Sequence, residues 1–467
     1  MSQMPAMPVA GRRRLERLLD HLESGLVERR RAVRLAFLVA LAGEHTLLVG
    51  PPGTAKSALA RRLHLAFAGG RYFERLLTRF TVPEELFGPL SISALEEDRY
   101  ERITTGFLPK ATIAFIDEVF KANSAILNAL LTLLNEREFD NGAGRERCPL
   151  ISVIGATNEV PDDEVGEAFF DRFLLRLPVG PVSADGFFEL LEVEAAELPP
   201  PPEPLTEAVR EWLMLAAGAV TLPAEVVRLL AELRGRLAAE ALYVSDRRWI
   251  KVVALLKMAA ASEGRPHVAL WDLWLLPWCV APDAERQNAL DDWLAGRLGI
   301  EAGMAPPLLT RVVEAFEAQA QLEREAEDLD YDESGRLKFS TEIEGQVADA
   351  KGASQAMRMS YRKQRRYGAT HIGARLRQVD ELIERIACYA KAIAGRRDEL
   401  AAYCEHSLWL DPDFAVRAQA NLAATEAVIG ELGRRASAAR AAFEALPRLA
   451  DDPGVVPEPI AHDPLAA

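Results

Sequence analysis

The residues Gly50-Pro51-Pro52-Gly53-Thr54-Ala55-Lys56-Ser57 carry the most specific chemistry in the chain. They follow the phosphate-loop pattern G-x-x-x-x-G-K-[ST], with Ala55 standing where the pattern has its second glycine. In such a loop, backbone N–H groups and the positive end of the next helix surround a β-phosphate. Lys56 is placed to neutralise the β- and γ-phosphates, and Ser57 to ligate Mg²⁺. The competing reading is an ordinary Pro/Gly turn before a helix. Two further groups argue against it. Asp117-Glu118 and Asn158 each follow a short apolar run, and in a parallel sheet the C-terminal ends of strands gather at one edge. Asp117 then holds the metal through water, Glu118 polarises the attacking water, and Asn158 orients it. Taken singly, an acidic turn or a turn-forming asparagine would explain these residues as well.

Positioning these side chains requires strands and helices in a particular order. Thr46-Leu47-Leu48-Val49, Ile113-Ala114-Phe115-Ile116 and Leu150-Ile151-Ser152-Val153-Ile154 are almost unbroken apolar runs, as in a parallel sheet covered on both faces. Helical spacing precedes the first run over residues 26–43 and follows the loop in ALARRLHLAF (58–67). It recurs in SAILNALLTLLNEREF after the second run. Alternation of strand and helix predicts an α/β nucleotide-binding domain.

The 467 residues exceed the ~100–200 usual for one domain. With 49% apolar and 27% charged residues, a mainly disordered chain is excluded. Cys148, Cys279, Cys388 and Cys404 form no C-x-x-C pair, so neither a zinc framework nor a disulfide scaffold is expected. The start lacks a signal-peptide core and no run approaches a membrane span, so a soluble, cytoplasmic protein is expected. Basic residues number 55 and acidic residues 70, a net charge of −15 that opposes non-specific binding to nucleic acid or anionic membrane.

Pro199 to Pro202, with Pro204, form a stiff extended segment that separates domains. Beyond it the pattern is helical to about residue 300, and Trp212, Trp249, Trp271, Trp274, Trp278 and Trp293 are expected to pack its core. Further on, an acidic stretch (323–333) and a basic one (358–366) precede two heptad ladders. One runs Leu376, Val379, Ile383, Ile386, Ala390, Ile393, Arg397, Leu400; the other Leu422, Thr425, Ile429, Leu432, Ala436, Ala439, Phe443, Leu446. Pro412 lies between them, near a helix start, and an antiparallel hairpin follows. Leu309, Val312, Val313 and Phe316 offer a third helix. The tail after Pro447 is expected to be disordered.

The order GPPGTAKS, IAFIDE, GATN, FDRF (Phe170 to Phe173) and VSDRRW (Val244 to Trp249) resembles AAA+ ATPases of the MoxR family, closest to the regulatory ATPase variant A (RavA) type. The stretches TRFTVPEELFGPLSISAL (78–95), GFLP (106–109) and KANSAILNALLTLLNERE (121–138) resemble it too. Ala before the lysine is frequent in that family. The likeness covers roughly residues 10–300. It implies an AAA+ α/β domain at 10–195, an all-α lid at 205–300, a C-terminal helical domain at 301–450 and a tail at 451–467. It further implies ATP and Mg²⁺ as ligands and a homo-hexamer with ATP at subunit interfaces. Arg172 matches the arginine finger that reaches the neighbouring subunit's nucleotide, with Arg137 the next candidate. Arg247 matches the second sensor of the lid, with Arg248 adjacent. Residues 83–108 resemble the helix-two insertion of this branch, in which Phe87, Leu90, Tyr100 and Phe107 either pack or face a pore.

The resemblance implies ATP hydrolysis coupled to remodelling, maturation or regulation of a client protein complex. MoxR-type proteins typically act with a von Willebrand A partner. Residues 332–336 lack the second serine of that domain's metal motif, so the partner is a separate protein. The interval 330–360 is too short for the β-rich domain by which RavA-like proteins dock a lysine decarboxylase. Two alternatives stand: a nucleic-acid-linked AAA+ motor using Arg358, Arg362, Lys363, Arg365 and Arg366, and a Rubisco-activase-like MoxR relative. For the basic run, intramolecular pairing or a solvated helix face is favoured over nucleic acid.

Overall fold

The computed structural model describes residues 9–142, 144–158, 164–193, 198–329 and 362–465. The chain forms two units: residues 1–298 with 403–416, and 299–402 with 417–467.

The first unit opens with α1 (Val9–Glu23), α2 (Arg30–Leu41), β1 (His45–Val49) and α3 (Lys56–Leu65). Next come β2 (Tyr72–Leu76), the short α4 (Pro83–Phe87) and α5 (Ile92–Glu96), and β3 (Ile113–Asp117). Then follow α6 (Ser124–Glu136), β4 (Glu138–Asn141), β5 (Gly144–Arg147), β6 (Ser152–Thr157), α7 (Glu164–Phe170), β7 (Phe173–Pro178) and α8 (Ala184–Glu192). Strands β2, β3, β6, β1 and β7 lie in that order in one parallel sheet. The apolar runs that form it are buried: Leu47, Ile113, Ala114, Ile116, Val153, Ile154 and Phe173 are fully enclosed. This is the expected α/β core. α6 starts where Asn123 accepts the Ile126 N–H at 3.0 Å, a side-chain cap for an otherwise orphaned donor.

Residues 138–147, read from sequence partly as a helix end, form an antiparallel hairpin of β4 and β5. The reversal begins at Arg137, which takes left-handed backbone (φ 56°) and closes α6. The hairpin is bonded to the insertion at 83–108. The Asn141 side chain accepts from Arg102 N at 2.6 Å, and Phe87 stacks on Phe139 with centroids 5.3 Å apart. Phe87 is buried and Phe107 packs against the same core, whereas Tyr100 is exposed.

The proline segment leads to Leu205, which exchanges backbone hydrogen bonds with Ala66 and Ala68 beyond α3. The helical region contains α9 (Glu207–Ala219), α10 (Ala224–Ala239), α11 (Asp246–Ser262), α12 (Leu276–Val280) and α13 (Ala284–Arg297). Trp271, Trp274 and Trp278 are buried in it.

In the second unit, α14 (Pro306–Glu325) supplies the third helix, burying Leu309, Val312, Val313 and Phe316. Strands β8 (Glu327–Leu329) and β9 (Arg362–Gln364) pair antiparallel, so Asp328 faces Lys363 in register, and Arg365 pairs with Asp328 at 3.5 Å. Part of the acidic stretch is thus satisfied by part of the basic one. Arg358 and the 330–360 interval lie outside the described residues. Long helices α15 (Ala369–His406) and α16 (Pro412–Glu444) follow. Every residue of the second ladder is buried. In the first, Leu382 and Tyr389 are buried rather than Ile383 and Ala390, and Arg397 is exposed. The tail is irregular but held rather than free. Asp452 accepts from Thr370 N at 2.8 Å, and Arg375 donates to the Glu458 carbonyl at 2.7 Å.

Residues 403–416 belong to the first unit. Trp409 and Phe414 are 2% and 1% exposed, and they neighbour Phe37 and Trp274 at centroid distances of 6.3 and 6.4 Å. Trp409 Nε1 donates to Ser262 Oγ (2.8 Å), Leu408 N to Glu263 (2.6 Å) and Tyr403 Oη to Asp272 (2.6 Å). Arg31 grips both oxygens of Asp411 at 2.7 and 2.9 Å. Deleting residues 361–467 would therefore open the core of the first unit.

Candidate functional site

The sheet order brings the sequence-predicted residues to one edge, because β1, β6 and β3 are neighbours and parallel. The phosphate loop leaves β1, Asp117 ends β3, and Asn158 follows β6. Asn158 Nδ2 donates to Glu118 Oε1 at 3.0 Å, so the two residues assigned to one water molecule are in direct contact.

The loop's backbone is specialised. Gly50 passes so close to Val179 that a Cβ would sit 2.1 Å from its carbonyl oxygen, which excludes any side chain there. Ala55 adopts φ 64°, the left-handed region that the usual glycine would occupy without penalty. Lys56 lies just inside α3, with Nζ donating to the carbonyls of Gly50 (2.6 Å) and Pro51 (2.7 Å). Burial lowers the pKa of its ammonium, while Asp117 and Glu118 oppose that shift. Thr54 Oγ1 donates to Pro51 O at 3.0 Å and holds the turn closed.

Glu118 has left-handed backbone of its own (φ 50°), and its N–H donates to Asp117 Oδ1 at 2.9 Å. Lys121 Nζ lies 3.2 Å from Glu118 Oε1. Two donors thus converge on one oxygen of this carboxylate, Oε1.

Sequence reasoning missed Arg29. Its buried guanidinium donates to Thr54 O (3.1 Å) and Gly180 O (2.7 Å), tying the phosphate loop to the end of β7. Within the run Arg29-Arg30-Arg31 nothing in the sequence marks it out.

The two arginine pairs separate clearly. Arg248 is 3% exposed. Its guanidinium donates to Asp171 Oδ1 (3.0 Å) and to the carbonyls of Asp171, Phe173, Leu174 and Cys279. No donor is left to meet a phosphate. Arg247 is half-exposed, donating to Asp171 Oδ2 at 2.8 Å. Arg137 is neither solvated nor free: it donates to the carbonyls of Gly43, Leu134 and Ile151, and burial lowers its pKa to about 10. Arg172 lies 3.7 Å from Asp171 Oδ2, with its buried Nε making no hydrogen bond.

A magnesium ion fits this edge. Such ions keep several waters and take one or two protein ligands beside substrate phosphates. Ser57 at the start of α3 and Asp117 at the end of β3 are suited to that modest donor set. Among the described residues there is no cluster of three acidic, histidine or cysteine side chains that would make an all-protein metal cage.

Comparison with known proteins agrees with this architecture. Residues 13–197 match a family model described as the MoxR domain of MoxR–vWA–β-propeller ternary systems, and residues 225–294 match an AAA lid domain. Two uncharacterized Methanocaldococcus jannaschii proteins, MJ0079 and MJ0812, are 41% and 42% identical over 56% of this chain. The matches cover 69% and 70% of those proteins. Protein MoxR of Paracoccus denitrificans is 31% identical over 32% of this chain and 45% of its own length. A crystal structure from Cytophaga hutchinsonii covers 58% of this chain and 87% of its own, with a TM-score of 0.49 and 19% identity. The fold and site define a nucleotide-binding AAA+ protein. Residues 13–197 are thus similar to a MoxR-type AAA+ domain, and residues 225–294 to the lid that accompanies such domains.

Proposed function

We propose that this protein hydrolyses ATP to ADP and phosphate with Mg²⁺, and uses the cycle to remodel, mature or regulate a partner protein complex. The observation that carries the reading is the Asn158–Glu118 contact at the sheet edge that also bears the phosphate loop. Loop N–H groups and Lys56 bind the phosphates. Ser57 and Asp117 hold Mg²⁺, which supplies charge neutralisation at the transferring phosphoryl group. Glu118 accepts the proton of the attacking water that Asn158 orients. Arg247 contacts the nucleotide of its own subunit, and Arg172 that of its neighbour in a hexameric ring.

The matched family model is named for a system with von Willebrand A and β-propeller components. That description supports a separate von Willebrand A partner here. The motif likeness noted above is what supports placement near the RavA type. Free thiols at all four cysteines suit a cytoplasmic setting.

Phosphate release and nucleotide binding, measured separately, test the assignment. Lys56→Ala should lose binding. Glu118→Gln should bind ATP and turn it over about 10²–10⁴-fold more slowly. Hydrolysis at the wild-type rate by Glu118→Gln would remove Glu118 from the proton-accepting role.

A further inference from the structure

Asp171 is surrounded by three guanidinium groups. Oδ1 is taken by Arg248, which is buried and fixed by four backbone carbonyls besides. Oδ2 is shared: Arg247 donates to it at 2.8 Å, and Arg172 stands at 3.7 Å from the same atom. Arg172 comes from the turn before β7, and Arg247 from the first turn of α11. One oxygen therefore joins the two arginines assigned to different nucleotides.

The charge balance makes this arrangement responsive. Three cations meet one carboxylate, leaving an excess of two positive charges in a partly buried place, where like charges are poorly screened. Arg172 is the least satisfied, since its Nε is buried without a hydrogen bond. An anion that draws either Arg247 or Arg172 away relieves the crowding and leaves Oδ2 to the other.

We infer that Asp171 is a positioning residue that makes nucleotide occupancy of neighbouring sites antagonistic. This rests on the reading of Arg247 and Arg172 as phosphate contacts in the same and the adjacent subunit. When ATP engages Arg247, Oδ2 closes on Arg172 and withholds it from the neighbour's γ-phosphate. When the neighbour's ATP captures Arg172, Oδ2 holds Arg247 back from the subunit's own nucleotide. Linkage requires both effects to have one magnitude. The fixed Arg248 keeps the carboxylate in place while its other oxygen changes partner.

The test uses the full-length assembled protein carrying Glu118→Gln, titrated with a fluorescent ATP analogue. Two classes of site are expected, about fivefold or more apart in affinity. Adding Asp171→Asn should merge them into one class. A single class before that substitution, or a split that survives it, overturns the inference. If thermal melting shows that Asp171→Asn does not fold, Arg172→Gln, Arg247→Gln and their combination replace it, since none removes Arg248. Each single change should merge the classes, and the double should add nothing. Additive effects overturn the shared-oxygen account. Failure of the Glu118→Gln protein to bind the analogue at all is a different result: it removes the phosphate-loop reading, and the inference with it.

Discussion

Two turns in the first unit make opposite use of their residues. The phosphate loop at 50–57 presents backbone donors, and it tolerates left-handed backbone at Ala55 to do so. The turn at 407–411 hides side chains, burying Trp409 and Leu408 and satisfying its backbone with Ser407 and Glu263. The first concentrates chemistry in a segment that adds little to packing. The second contributes packing from more than a hundred residues further along the chain, with no reactive group. Stability and activity should therefore separate when each is altered.

The largest effect is expected on activity alone. Arg172→Ala should lower turnover about 10³–10⁵-fold if it serves as a finger in trans, with ATP still bound through Lys56 and little change in melting temperature. Mixing these subunits with Glu118→Gln subunits should restore part of the rate after exchange, because a mixed interface reunites an intact Glu118 with an intact Arg172. A flat, inactive profile despite exchange confirmed by light scattering would break this side of the comparison.

On the other side, Trp409→Ala should cost about 3–5 kcal/mol, the usual loss for emptying a buried aromatic site. Denaturant unfolding would measure it, and the ATP affinity of the fraction that remains folded should be unchanged. Adjacent residues sharpen the contrast. Arg248→Ala should destabilise by about 3 kcal/mol, because it strips partners from buried carbonyls and leaves Asp171 underpaired. Arg247→Ala should cost under about 1 kcal/mol, as expected of a half-exposed ion pair, while impairing hydrolysis. Equal melting temperatures for the two variants would show that burial of Arg248 carries no weight. The smallest effect is a gain: Ala55→Gly should relieve the left-handed strain and stabilise by up to about 1 kcal/mol, with phosphate binding retained.

What the sequence disclosed follows from the range of the interactions involved. Gly50, Asp117, Glu118 and Asn158 were legible because each follows a short apolar run, where local pattern and parallel-sheet topology together set its position, and Lys56 through its place in the phosphate-loop pattern. The second heptad ladder was legible for a similar reason, since burial every three and four residues is written along one helix. Arg29, Asp171 and the socket of Trp409 were not. Their partners lie far away in sequence: Gly180 for Arg29, Arg247 and Arg248 for Asp171, Ser262 and Phe37 for Trp409. The hairpin β4–β5 was hidden differently. Its residues are mostly charged, so no apolar alternation signals a strand. Arg137, the second finger candidate, was hidden by its backbone: the left-handed conformation turns its side chain inward onto carbonyls at the end of α6.

Because residues 403–416 complete the first unit, the order of synthesis matters. The segment up to Leu298 emerges from the ribosome with Phe37 and Trp274 still lacking their covering side chains. About 100 further residues, roughly 5–20 s at bacterial-like rates, must be made before Trp409 and Phe414 arrive. Throughout that interval the nascent chain displays an apolar socket, a natural binding place for a chaperone. A message truncated between codons 299 and 403 would yield a protein with its phosphate loop intact and its core unsealed.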